Sequence, residues 1–143
     1  MPVPSNITTI SRLTIKCVGT KLKRTQLWSG LDMPFVDNQG IKIHFETMGQ
    51  GPPLMLVHGM FFRGGTWTEI GYTVPLKKDF QLILVDVRGH GQSDKPDSYE
   101  SYDPEVIASD IVAIMNALNI RKAHYFGYSM GAWIGFYGIV KYY

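Results

Sequence analysis

Ala123-His124-Tyr125-Phe126-Gly127-Tyr128-Ser129-Met130-Gly131 decides how this chain reads. A mostly apolar run leads straight into Gly-x-Ser-x-Gly, the pattern of a strand that turns sharply into a helix. So tight a turn leaves no room for side chains two residues before and two residues after the serine. Gly127 and Gly131 supply that room. The turn lifts the serine hydroxyl clear of the sheet and aims the backbone N–H of Met130 at the same space, an arrangement suited to nucleophilic attack on a carbonyl.

Working outward, Leu54-Met55-Leu56-Val57 and Leu82-Ile83-Leu84-Val85 are unbroken apolar runs, the mark of strands buried on both faces of a parallel sheet. Ile41 to Phe45 alternates apolar and polar behind the turn Asp37-Asn38-Gln39-Gly40 and reads as a half-buried hairpin strand, with His44 on its polar phase and at the surface. Thr66 to Leu76 is helix-like but interrupted, so only a short helix is expected there. A better helix follows Asp103, a good N-cap with Pro104 at the first helical position and Glu105 at the positive end of the dipole. Val106, Ile107, Ile111, Ile114 and Leu118 form its apolar stripe, and Asn119 suits a left-handed cap. Strand and helix alternation predicts an α/β class with a right-handed, doubly wound sheet.

With 45% apolar and 18% charged residues, the composition is that of an ordinary soluble domain. The net charge of +2 hides an asymmetry, because Arg12, Lys16, Lys21, Lys23 and Arg24 all precede the first acid, Asp32. Residues 1–31 are therefore treated as a basic N-terminal extension with one weak strand-like run, Leu13 to Val18, and residues 32–143 as the domain proper. Such an acid-free start fits an organellar transit segment, an unstructured tail or an upstream start codon; a cytoplasmic location is the default. The main body has no basic face for nucleic acid. The longest apolar stretch, Ala132 to Val140, falls far short of the ~20 residues of a membrane-spanning helix. Cys17 is the only cysteine, which excludes an internal disulfide and a cysteine metal cluster, and no histidine pair has metal-ligand spacing. No phosphate loop or dinucleotide fingerprint is present, so a cofactor-free site is expected.

His58-Gly59-Met60 follows the first buried strand, as the serine turn follows the last. Loops at the carboxyl ends of parallel strands share one edge, so the Met60 N–H could face the Met130 N–H as a second oxyanion donor; the plainer reading of His-Gly is a tight strand exit. Leu56-Val57-His58-Gly59, Asp86-Val87-Arg88-Gly89-His90-Gly91-Gln92-Ser93-Asp94 and Gly127-Tyr128-Ser129-Met130-Gly131, in this order, resemble the α/β-hydrolase superfamily over Pro34 to Tyr143. The resemblance implies Ser129 as nucleophile, the Met60 and Met130 N–H groups as oxyanion hole, and His58, Gly59, Gly127 and Gly131 as the residues that shape the loops. It implies a mostly parallel sheet with flanking helices whose first strand is antiparallel, of which this sequence carries only the N-terminal half, without later strands, cap or C-terminal part.

The family places its acid and histidine after the serine, yet no Asp, Glu or His follows Ser129 in this sequence. No triad acid or base is therefore assigned. Of the earlier histidines, His58 and His90 are read as loop-shaping, and His124 lies at the far end of its strand. Asp86 is read as a structural partner of Arg88, and Phe61, Phe62 and Trp67 as core residues more than as pocket walls. The expectation is a serine hydrolase by family, acting on a small acyl substrate through an acyl-enzyme, with this chain an inactive truncated form. The rival expectation is a non-catalytic fragment or one half of a split enzyme, associating through the exposed sheet edge beside the last strand.

Overall fold

The computed structural model describes residues 13–16 and 35–138. Six strands form one sheet in the order β1-β6-β4-β5-β3-β2: β1 Leu13–Lys16, β2 Phe35–Asn38, β3 Ile41–Met48, β4 Pro53–Val57, β5 Gln81–Val85 and β6 Lys122–Gly127. The central strands β5, β4 and β6 run parallel, and the apolar runs that form β4 and β5 are buried throughout their last four residues. The reversed strand is the second of the hydrolase region, β3, rather than the first. It pairs antiparallel with β5, and β2 joins it through a hairpin. Gln39 and Gly40, at φ 58° and 83°, make the two-residue turn, and the Asp37 carboxylate accepts the Gly40 N–H at 3.0 Å.

Two one-turn helices, α1 Thr66–Glu69 and α2 Thr73–Leu76, lie between β4 and β5. The long helix α3 spans Pro104–Ala117, its N-terminus capped by Asp103, which accepts the Glu105 N–H at 2.8 Å. Asn119 ends that region in the left-handed conformation, φ 54°. Ile107, Ile111 and Ile114 face Ile43, Phe45, Met55, Val57, Ile83 and Val85, which forms the core on one side of the sheet. Leu54, Leu56, Leu82 and Leu84 form the core on the other, with Trp67. Alternation of inward residues along each buried strand thus feeds two cores, one per face.

Three expectations are corrected here. Within the strand-like run Leu13 to Val18, for which the sequence offered no partner, Leu13–Lys16 form β1 and pair antiparallel with β6, Leu13 opposite Tyr125 and Lys16 opposite Lys122. The β6 edge is therefore covered over Lys122 to Tyr125 and not open; the rest of the basic extension lies outside the described residues. His44 is buried at 2% exposure, because Phe35 and the segment after β5 cover the face its alternation leaves free. Asp86 pairs with His44, while Arg88 forks onto Asp110 of α3, Nε to Oδ2 at 2.7 Å and Nη2 to Oδ1 at 2.6 Å.

Candidate active site

β6 ends at Gly127, and α4, Met130–Trp133, begins one residue after Ser129. Ser129 sits at φ 51°, ψ −112°, a conformation that costs a non-glycine residue about 1–3 kcal/mol and persists only where its surroundings impose it. The surroundings are visible. A Cβ on Gly127 would strike the Gly131 backbone and lie 2.6 Å from the Ala132 nitrogen; one on Gly131 would strike the Val57 carbonyl and lie 2.9 Å from the His58 oxygen. Both glycines are thus demanded by contact, and the second wedges the start of α4 against the end of β4. Tyr128 N–H donates to the Val57 carbonyl at 3.0 Å, and the buried Tyr125 hydroxyl donates to the Gly131 carbonyl at 2.7 Å. Burial pushes the Tyr125 phenol well above its ordinary range, so it stays a donor.

The loop after β4 meets this turn. A Cβ on Gly59 would lie 2.9 Å from the Tyr128 ring and 3.3 Å from the Ser129 Cβ, so the glycine lets the Met60 segment come against the serine. Among the described residues, neither the Met60 N–H nor the Met130 N–H donates to a backbone carbonyl. Among the described residues, neither meets a side-chain acceptor.

The β5 exit holds that loop at both ends. His58 Nε2 accepts the Val87 N–H at 3.1 Å while Nδ1 donates to the Gly59 carbonyl at 2.8 Å, which fixes a neutral ring. Burial holds the His58 pKa below 6.5, with the nearby His90 ring acting in the same direction; the Gly59 bond and Asp86 oppose it. Further along, Asp86 Oδ1 accepts the Gly64 N–H at 2.6 Å, and Oδ2 accepts the Gln92 N–H at 2.8 Å and lies 2.9 Å from His44 Nδ1. Sequence reading missed Asp86 as the anchor of this loop. Two of its partners, His44 and Gly64, lie 42 and 22 positions away, and no local spacing signals them.

Among the described residues, no histidine ring is hydrogen-bonded to the Ser129 hydroxyl. His44 and His58 have both ring nitrogens engaged, His90 Nδ1 lies 3.2 Å from the Arg88 carbonyl, and His124 packs edge-on against Phe80 in the third position of β6. Among the described residues, the Ser129 hydroxyl has no hydrogen-bond partner, no group of three or more metal-ligating side chains occurs, and no helix is long and apolar enough to cross a membrane.

A cavity of about 250 Å³ adjoins the site, with Gly59, Phe62, Trp67, Tyr72, Phe126 and Tyr128 among its walls. The aromatic trio read as core divides accordingly. Trp67 is buried against Phe126, with ring centroids 5.2 Å apart, whereas Phe62 is half-exposed on the cavity wall and Phe61, at φ 69°, is 92% exposed. The sharp bend after Gly59 turns these two rings outward.

Comparison with known proteins agrees with this geometry. The chain is 33% identical over 94 residues to bifunctional epoxide hydrolase 2 of Sus scrofa, which covers 64% of this chain and 16% of that protein. It is 39% identical over 113 residues to 3-oxoadipate enol-lactonase 1 of Acinetobacter baylyi, covering 75% and 41%. Among solved structures, Est816, described as an N-acyl homoserine lactone degrading enzyme, is 36% identical with a TM-score of 0.66, covering 71% of this chain and 38% of that one. The chain thus spans well under half the length of these relatives. Residues 52–141, which include both loops and the serine turn, match the family model for the alpha/beta hydrolase fold. On its sheet order, its strained serine between two contact-bound glycines and this match, the chain belongs to the α/β-hydrolase family.

Proposed function

We propose that this chain carries the nucleophile and oxyanion-hole part of a serine hydrolase that cleaves a carboxylic ester, lactone or similar acyl substrate. The observation that carries the reading is Ser129 at φ 51°, ψ −112°, held between β6 and α4 beside Gly59. In the reaction, Ser129 Oγ bonds to the carbonyl carbon, its proton passes to a base, and the alcohol leaves to give an acyl-serine. Water then attacks the same carbon and releases the acid. The unengaged Met60 and Met130 N–H groups suit the oxyanion that forms at each step; one such donor is worth about 3–4 kcal/mol in other hydrolases. A hydroxyl nucleophile favours acyl chemistry over the attack on alkyl carbon that a carboxylate performs at the same position. The aromatic cavity beside Gly59 favours a substrate with an apolar group.

The positions of the four histidines favour a second statement: this chain alone turns over slowly. Loss of the base in a serine protease costs about a million-fold in turnover. The test is to mix the chain with a polypeptide supplying the later acid and histidine of an α/β-hydrolase domain and to follow ester hydrolysis. Activity that appears on mixing and vanishes with Ser129→Ala supports the reading; activity unchanged by Ser129→Ala contradicts it.

A further inference from the structure

One buried polar group beside the serine turn has no part in the reaction as written, the Tyr125 hydroxyl. In the core on the α3 side of the sheet, Tyr125 lies among Met55, Val57, Ile111 and Ile134. A phenylalanine would fill the same space, and burying a hydroxyl there is unfavourable unless the hydrogen bond it makes offsets the loss of water. That bond runs to the Gly131 carbonyl, at 2.7 Å and out of solvent. The ring reaches it by lying against the helix that follows the serine, where a Cβ on Gly135 would sit 2.6 Å from Cε1 and 3.2 Å from Cζ.

The turn that Tyr125 touches is too short to hold its own shape. α4 keeps α-helical geometry for only the four residues Met130–Trp133 before widening into a π-type turn over Ile134–Gly138. Its first peptides are instead fixed one at a time. The Tyr128 carbonyl accepts the Gly131 N–H at 2.9 Å, the Ser129 carbonyl accepts the Trp133 N–H at 3.0 Å, and the Gly131 carbonyl accepts the Tyr125 hydroxyl. The Ser129–Met130 peptide, whose N–H is the oxyanion donor of the proposed reaction, lies between these ties. The first two join the turn to itself, whereas the Tyr125 bond joins it to β6.

We propose that Tyr125 is a positioning residue for the oxyanion hole: its hydroxyl, carried on β6, fixes the first turn of α4 and with it the direction of the Met130 N–H. Burial raises the phenol pKa, so the hydroxyl stays a donor well into alkaline solution. This inference rests on the serine-hydrolase reading above and adds to it a residue that acts only through the Gly131 carbonyl.

The test compares p-nitrophenyl acetate with its thionoester analogue, in which sulfur replaces the carbonyl oxygen, on the full chain with imidazole as base. With either ester Ser129 Oγ bonds to the central carbon, imidazole takes the serine proton and p-nitrophenolate leaves. Peptide mass mapping then reads acetyl or thionoacetyl on Ser129. Sulfur accepts hydrogen bonds weakly, so a well-aimed donor speeds the ester more than the thionoester. For Tyr125→Phe the proposal expects an unchanged circular dichroism spectrum, acetylation about tenfold slower and thionoacetylation less than about threefold slower. Gly135→Ala keeps the hydroxyl but displaces the ring, so it is expected to lower the ratio of the two rates in the same way, and it decides should Tyr125→Phe fail to fold. Equal losses with both esters, or no loss, would assign the hydroxyl to fold stability alone and overturn the proposal. Acylation of Ser129 by neither ester in the unaltered chain would contradict the hydrolase reading itself, and this inference with it.

Discussion

Ser129 stores strain that its neighbours impose, and that strain is measurable without any catalysis. Glycine tolerates positive φ at no steric cost, whereas alanine does not. Ser129→Gly is therefore expected to raise the unfolding free energy by about 1 kcal/mol, with Ser129→Ala close to the wild type. Urea denaturation of both variants checks this, and equal midpoints would show that the turn is relaxed. Gly131 is the converse case, because its missing Cβ makes room for the Val57 carbonyl. Gly131→Ala is expected to cost about 1–3 kcal/mol in the same experiment, the range for forcing an extra carbon into close-packed surroundings. Both glycines and the serine were legible in the sequence, since the Gly-x-Ser-x-Gly spacing is a local steric demand. Asp86 and His44 were not, because a buried side-chain contact joining positions 42 apart leaves no periodic trace.

At the scale of elements, the loop from His58 to Gly65 is tied down by the end of β5. His58 holds it as a neutral ring, with Nε2 accepting from Val87. Because burial lowers the His58 pKa, the unfolded chain binds a proton that the folded chain resists as pH falls below 6.5. His58 contributes its full stability above that value and loses it progressively below. Thermal melts between about pH 7.5 and pH 5.5 should fall more steeply for the wild type than for His58→Asn, which cannot titrate there. Parallel slopes would remove His58 as the cause. The helix α3 shows how far local signals reach: Asp103, Pro104 and the isoleucine stripe announced it. The two short helices α1 and α2 were foreshadowed only by an interrupted pattern, and β1 only by its apolar residues, since its partner lies more than a hundred positions on.

Over the whole molecule, Arg88 and Asp110 tie the segment after β5 to α3, and Asn38 at the hairpin tip donates to the same carboxylate at 2.7 Å. Both charged side chains are nearly fully buried, 3% and 2% exposed. Removing one of two buried charges leaves the other unpaired, so Asp110→Ala is expected to destabilise the fold by about 3–5 kcal/mol, read by urea denaturation. A loss under 1 kcal/mol, about that of a surface pair, would show that the pair is not what joins these parts. The α/β class, the parallel centre and the meeting of both loops at one edge were readable from strand composition and order. The covering of the outer side of β6 by β1 was not, because strand pairing across long separations depends on what else competes for the place.

The central claim is that Ser129 is an acyl-accepting nucleophile. The most direct measurement is peptide mass mapping of this chain after incubation with p-nitrophenyl acetate, with imidazole in solution added as a base. The account predicts an acetyl group on Ser129, formed faster as imidazole is raised and missing in Ser129→Ala. Acetylation confined to lysines, unchanged by imidazole and by Ser129→Ala, would contradict it.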